Sequence, residues 1–288
     1  MTVAHSASEL ERKPRAVAIG TFDGVHLGHR RVLGAALEAG ATPTVVTFDP
    51  HPRMVLGSQV ELIVPLQRRL ELLAELGIED VLVVEFTLEL AALEPEAFAE
   101  ETLRAIGAEV VVAGADFRFG RGRAGDLDLL RRLGFDARAV PLVERVSSSQ
   151  IRQLLRGGEI ERAAQELGRP PELEGTVVSG DARGGTLGFP TANIRVDLNA
   201  LVPAYGIYAG FAEGTRAALS VGTNPHYGGR ERRIEAFLLD FEGDLYGRRL
   251  VVELWGRLRD ERAFGSEAEL VEQIGRDVEQ ARAAVRPA

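Results

Sequence analysis

The sequence predicts a two-part α/β chain, a doubly wound parallel sheet followed by a small antiparallel β structure, and three observations carry that reading. The length of 288 residues is about two domains' worth at roughly 150 residues each. Up to about residue 168, short apolar runs alternate with longer amphipathic ones, the pattern of parallel strands joined by crossover helices. From Glu174 onward short β runs separated by glycine take over. The stiff segment Gly168-Arg169-Pro170-Pro171 between them sets the expected boundary, one domain over 1–170 and a second over 171–288.

In the first domain the runs 16–20, 44–48, 80–86, 109–114 and 136–141 are short, rich in Val and Ile and apolar at successive positions, as strands covered on both faces must be. Between them, 65–77 and 95–107 open with proline, repeat apolar residues at helical spacing and close on glycine. Runs 29–39 and 126–133 fill the remaining crossovers, and 150–156 and 159–167 add two short helices. Any ligand of such a sheet lies beyond the carboxyl ends of its strands. The second domain offers β runs at 175–179, 192–196, 206–212, 217–221, 234–241 and 250–258, with Gly243-Asp244 marking a hairpin turn. These predict a small antiparallel barrel or sandwich. A helix over 266–284 closes the chain, with Ser266 as cap and Leu270, Ile274 and Val278 on its apolar face.

Composition removes whole classes of chemistry. There is no cysteine, hence no disulfide framework, iron–sulfur cluster, zinc ribbon or thiol nucleophile. Every basic residue except Lys13, in the polar amino-terminal arm, is arginine, which leaves no P-loop or Schiff-base lysine. Phosphate chemistry must therefore use arginine, histidine, backbone amides and metal. The net charge of −9 disfavours nucleic acid and anionic lipid as partners. With no apolar leader and no membrane-length apolar run, the expectation is a cytoplasmic protein acting on small molecules, with self-association left open.

Three of the five histidines, His26, His29 and His51, fall just after the first and second strands. The run Gly20-Thr21-Phe22-Asp23-Gly24-Val25-His26-Leu27-Gly28-His29 leaves a strand, turns on glycine and enters a helix, so backbone N–H groups and the helix dipole point at an anion and two imidazoles join them. A lone histidine there would more often be a cap; the HxGH spacing favours a site. After the fourth strand, Asp116-Phe117-Arg118 begins an arginine- and glycine-rich stretch read as a mobile phosphate-facing loop. Ser147-Ser148-Ser149 and Arg152 open a helix that can hold pyrophosphate, or serve simply as its caps. In the second domain, Gly180, Gly188 and Pro190 flank Thr191 and Asn193, whose oxygens suit magnesium, although a long hairpin loop would have the same glycine content and spacing alone favours neither. Glu235 lies on a strand between apolar neighbours, with Phe237 and Leu239 on its side by alternation; a carboxylate there either just faces solvent or is a general base held rigidly.

From about Arg15 to Arg282 the chain resembles the bacterial bifunctional riboflavin kinase/FAD synthetase family, through IGTFDGVHLGH, TFDPHPR, GADFRFG, SSSQIR, LGRP, LGFPTAN, SVGTNP, IEAFLLDF and DLYG in order. The resemblance implies a Rossmann-like nucleotidyltransferase domain that makes FAD from FMN and ATP with release of pyrophosphate. It implies next a six-stranded antiparallel riboflavin kinase barrel with a C-terminal helix, making FMN from riboflavin and ATP, with Mg2+ accompanying the nucleotide. Carried over by position, His26 and His29 contact ATP phosphates, Ser147, Ser148, Ser149 and Arg152 form a second phosphate motif, and Asp116 sits near the flavin or nucleotide. Thr191 and Asn193 match the MgATP-binding PTAN motif of the kinase, and Glu235 the base for the ribityl hydroxyl. Departures are Ser149 for a usual threonine, Gly185-Thr186 for a usual Gly-Arg, and His226 after Asn224-Pro225. The competing readings are a flavin- or nucleotide-sensing protein without turnover, and an adenylyltransferase for another phosphorylated metabolite.

Overall fold

Residues 1–144, 146–180, 189–223 and 233–287 are described by the computed structural model. They divide into two compact units, Met1–Val60 with Pro65–Ser147, and Glu61–Val64 with Ser148–Ala288.

The first unit is built on six parallel strands: β1 (Thr2–Ala4), β2 (Arg15–Ile19), β3 (Thr42–Asp49), β4 (Asp80–Glu85), β5 (Ala108–Gly114) and β6 (Asp136–Val140). Their order across the sheet is β1-β4-β3-β2-β5-β6. The apolar runs predict five strands. The sixth, β1, comes from the amino-terminal arm and pairs with β4 at the edge; three residues with little apolar pattern gave no signal. At the opposite edge β6 has only one buried residue, so it is not covered on both faces as expected. In β2 every residue is buried. Val17 and Ile19 pack with Val111, Ala113, Phe98, Leu103 and Leu130 on one face. Ala16 and Ala18 turn to the other, where α1 (Leu27–Leu37) lies against β2, β3 and β5.

The remaining helices of this unit are α2 (Pro52–Val55), α3 (Leu66–Glu75), α4 (Leu88–Ala91), α5 (Pro95–Phe98) and α6 (Leu127–Arg132), the last capped by Asp126. The helix expected over 95–107 is α5 continued as a wider π turn, Ala99–Arg104. Lys13 is not a loose arm residue. It and the buried Arg15 each reach Asp80 at 3.0 Å, and although burial pushes that carboxyl up, their hydrogen bonds hold it below its ordinary value.

In the second unit, α7 (Ser148–Gly157) and α8 (Ile160–Leu167) precede a closed barrel. Its strands are β7 (Glu172–Val178), β8 (Ala192–Arg195), β9 (Gly206–Ala212), β10 (Thr215–Gly222), β11 (Arg233–Leu238) and β12 (Arg249–Arg259). The order is β10-β11-β8-β7-β12-β9, closed by antiparallel pairing of β9 with β10. Of the two forms left open by the strand pattern, this is the barrel. The stretch through Gly243-Asp244 is not a hairpin, because β11 pairs with β10 and β8 whereas β12 pairs with β7 and β9. The C-terminal helix α9 (Glu267–Ala283) is capped by Ser266, and its buried Asp277 takes a bidentate hydrogen bond from Arg259 of β12.

The compact second unit begins earlier than residue 171. Ile160, Ala163, Ala164 and Leu167 of α8 are fully buried and the helix packs on β12, while the Leu155 carbonyl accepts from Ala204 N–H at 3.1 Å. Segment 61–64 joins this unit because Leu62 exchanges backbone hydrogen bonds with Asn199 and Leu201.

Candidate functional site

The carboxyl ends of β2 and β5 are neighbours in the middle of the sheet, the point where strand order reverses, and ligands of doubly wound sheets bind at that crevice. The run from Gly20 to His29 leaves β2 there. Its turn is tight: Phe22 has φ 49°, Gly24 φ 87° and Val25 φ 43°, conformations that a bulky or β-branched residue holds only under constraint. Phe22, Asp23 and His26 are buried. His26 caps α1, its Nδ1 accepting from the His29 N–H at 3.3 Å.

The two HxGH imidazoles stack, with ring centroids 3.6 Å apart and planes 16° from parallel, and the Phe22 ring stands edge-on to His29 at 5.3 Å. Gly28 lets this happen, since a Cβ there would lie 3.0 Å from His26 Cε1 and 3.2 Å from its Nδ1. Burial, then the positive potential of His26 and Arg69, holds the His29 imidazole well below its ordinary pKa, so it is neutral at physiological pH. Its Nδ1 is buried with no hydrogen-bond partner, and a polar atom in that condition calls for a functional explanation. His51, the third histidine, caps α2 and accepts from the Arg53 N–H at 3.2 Å.

Asp116, Phe117 and Arg118 follow β5. Asp116 and Arg118 are exposed, while Phe117 stacks on Phe119 at 5.5 Å. Beyond them the loop makes its own contacts: Phe119 and Gly125 exchange two backbone hydrogen bonds, Arg121 N–H donates to Leu93 and its guanidinium meets Glu94 at 2.7 Å. Of the second phosphate motif, Ser147 ends the first unit, whereas Ser148, Ser149 and Arg152 open α7 in the second. Arg152 is buried, and its Nε donates to the Glu61 carbonyl at 2.7 Å.

On the barrel, β8 and β11 place Asn193 directly opposite Glu235, with Val178 beyond Asn193 on β7 and Ser220 beyond Glu235 on β10. Gly180 lies beside them, and a Cβ there would force the Asn193 amide to move. Ile234, Ala236 and Leu238 form the buried face of β11, leaving Glu235 and Phe237 half-buried on the other. Leu239 does not join them; it is buried past the end of the strand. Phe237 meets Phe189 edge-on at 5.5 Å, next to exposed Pro190 and half-buried Thr191. Gly188, Gly185-Thr186, Asn224-Pro225 and His226 lie outside the described residues.

Sequence reasoning missed Arg69, Asp49 and Thr47. Arg69 is 1% exposed on α3, where it shares the buried face with Leu72 and Leu73. An arginine three and four positions before buried leucines was the available signal.

A family model for FAD synthetase matches residues 8–152, and one for riboflavin kinase matches 167–285. The chain belongs to the bifunctional riboflavin kinase/FMN adenylyltransferase family. The enzyme of that name from Listeria monocytogenes is 36% identical over 93% of this chain and 92% of its own. The Bacillus subtilis enzyme is 36% identical over 98% and 96%, and the Escherichia coli enzyme 35% over 95% and 93%. A crystal structure described as a macrolide-efflux protein from Streptococcus pneumoniae matches with a TM-score of 0.86 and 31% identity, covering 97% of this chain and 98% of that one. Among the described residues, no helix here is long and apolar enough to cross a membrane. The two matched domains support a bifunctional flavin-forming enzyme and neither competing reading.

Proposed function

We propose that the chain converts riboflavin to FMN on the barrel and FMN to FAD at the β2–α1 turn, using ATP in both steps, with the functional boundary at Gly168 to Pro171. The observation that carries the reading is the pairing of two distinct polar constellations in one family member, the stacked His26 and His29 in the first unit and Asn193 facing Glu235 in the second.

In FAD formation an oxygen of the FMN phosphate bonds to the α-phosphorus of ATP while the bond to the β-phosphate oxygen breaks and pyrophosphate leaves. This needs in-line placement and neutralisation of charge, with no covalent enzyme intermediate. The turn Gly20, Thr21, Phe22 and Asp23, the amides opening α1, and His26 and His29 receive the phosphates. A neutral His29 donates from one ring nitrogen without needing to titrate. Ser147, Ser148, Ser149 and Arg152 bind the departing pyrophosphate, and Asp116, Phe117 and Arg118 meet the flavin or nucleotide.

In FMN formation the ribityl hydroxyl bonds to the γ-phosphorus, ADP leaves, and Glu235 accepts the hydroxyl proton as the bond forms, worth about 10²- to 10⁴-fold. Gly180, Gly188 and Pro190 shape the nucleotide loop. The hard oxygens of Thr191 and Asn193 fit magnesium, and the Asn193 amide already fills the space that Gly180 leaves open. Magnesium bound with the triphosphate supplies charge neutralisation at the transferred group. Supplying riboflavin and MgATP and separating products by chromatography tests both steps: FMN followed by FAD is expected, and FMN without FAD, or neither, refutes the reading.

A further inference from the structure

The buried cation on α3 has no part in the steps above. Charged side chains are rarely buried unless paired, yet the Arg69 Nε is buried with no hydrogen-bond partner. Its Nη1 donates to the Thr21 carbonyl at 2.6 Å, and Nη2 lies 3.6 Å from Asp49 Oδ1. Burial draws its pKa down, with Asp23 and Asp49 opposing. An apolar side chain of similar volume would avoid that desolvation, so packing alone does not explain an arginine here.

What Arg69 grips is the start of the strained turn. Thr21 immediately precedes Phe22 at φ 49°, and Gly24 and Val25 follow at 87° and 43°. Such a segment persists only where surrounding contacts over-determine it. The Thr21 carbonyl is held from two sides, by Arg69 on α3 and by Thr47 Oγ1 on β3 at 3.2 Å. The turn ends in His26, whose ring position sets that of His29 through the cap and the stack.

We infer that Arg69 is a positioning residue for adenylyl transfer: by tying Thr21 to Asp49 at the ends of β2 and β3, it fixes the turn that places the two histidines. This rests on the assignment of FAD formation to that pair.

The test uses the full chain with Arg69→Met, Arg69→Lys and Thr47→Val. Arg69→Met is expected to lower kcat for FAD formation from FMN and ATP by about 10- to 100-fold, with both KM values moving less than about threefold. Arg69→Lys restores the charge and one donor and recovers most of the loss. Thr47→Val removes the second donor to the same carbonyl and lowers the same kcat by about 3- to 10-fold. FMN formation from riboflavin stays at the wild-type rate in all three. Melting followed by far-UV circular dichroism shows whether each variant folds. Wild-type kcat in a folded Arg69→Met, a loss confined to KM, or equal losses with Lys and Met overturns the inference. If Arg69→Met does not fold, Thr47→Val decides, and unchanged kcat there overturns it. His29→Ala run alongside separates the layers: if it keeps FAD formation, the site assignment falls; if it loses FAD formation while folded Arg69→Met does not, only the role of Arg69 falls.

Discussion

Gly28→Ala sets two effects of opposite sign against each other at the histidine pair. Its backbone φ is ordinary, absent from the left-handed region that other glycines here occupy, so alanine brings no strain and a gain in helix propensity of about 0.5–1 kcal/mol. Against this, the new Cβ would stand 3.0 Å from His26 Cε1, where carbon atoms prefer about 3.5–4.0 Å. The ring must retreat by roughly 0.5 Å, and it is hemmed in by the stack at 3.6 Å and the bond from the His29 N–H. Overpacking of this kind costs about 1–3 kcal/mol, so the net loss of stability is about 2.5 kcal/mol or less. Catalysis is more sensitive, because a displacement near 1 Å at a positioned group costs about 10²-fold. FAD formation from FMN and ATP, followed by chromatography, should drop by about 10-fold or more while FMN formation from riboflavin continues unchanged. FAD formation within twofold of wild type in a folded variant would refute the claim that the ring's position matters, and a parallel fall in both activities would point to misfolding.

Three further outcomes are expected. His29→Ala should lose about 2.7–4 kcal/mol of transition-state stabilisation in FAD formation, with FMN formation near wild type; equal damage to both would sink the site assignment. Glu235→Gln should bind riboflavin and MgATP as before, by fluorescence quenching, yet lose phosphoryl transfer in single turnover by about 10²-fold or more, with FAD synthesis from supplied FMN intact; unchanged turnover rules out the base, and lost binding makes Glu235 an anchor. A fragment starting at Ser148 should make FMN and no FAD, whereas one starting at Pro170 loses fully buried Ile160 and Leu167 and should be less stable by about 3–6 kcal/mol in denaturant titration; equal stability would show that α8 contributes nothing to the barrel unit.

Periodicity located five of the six parallel strands, all six barrel strands and the cap Ser266, because each is a local signal of burial or chain reversal. It failed where pairing decides structure. Nothing local tells that β1 adds to the sheet edge, or that the chain after Leu238 crosses to pair with β7 and β9 instead of folding back as a hairpin. The early start of the second unit was hidden for the same reason, since the packing of α8 on β12 joins residues far apart in sequence. HxGH spacing picked out two imidazoles that the structure stacks, and β8–β11 register turned two separately chosen residues, Asn193 and Glu235, into neighbours. Arg69 stayed hidden because a buried arginine within a helix rich in charge looks like one more solvated side chain until its carbonyl and carboxylate partners are seen.

The same burial that readies His29 leaves a signature in stability against pH. Its folded pKa lies well below the ordinary value of 6.5, through burial first and then His26 and Arg69. The unfolded chain therefore takes up a proton near pH 6.5 that the folded chain refuses, and stability present above that pH is lost as pH falls toward the folded pKa. Asp80 is also held low, though from an ordinary value of 3.8, so its contribution is present above about pH 4 and is lost only below it. The two windows do not overlap near pH 6. Between pH 7 and 5.5 the slope due to His29 is at most about 1.4 kcal/mol per pH unit, and His29→Ala should remove it. The single tryptophan and all four tyrosines lie beyond residue 200, so fluorescence follows the barrel unit and far-UV circular dichroism is needed to follow the first. Denaturant titrations read by circular dichroism at pH 7 and 5.5 should therefore show the wild type weakening more than His29→Ala, with the fluorescence transition moving equally in both. An identical pH dependence of the dichroism transition in the two proteins would mean that His29 is protonated as readily folded as unfolded, and a neutral donor in the adenylyl site would be untenable.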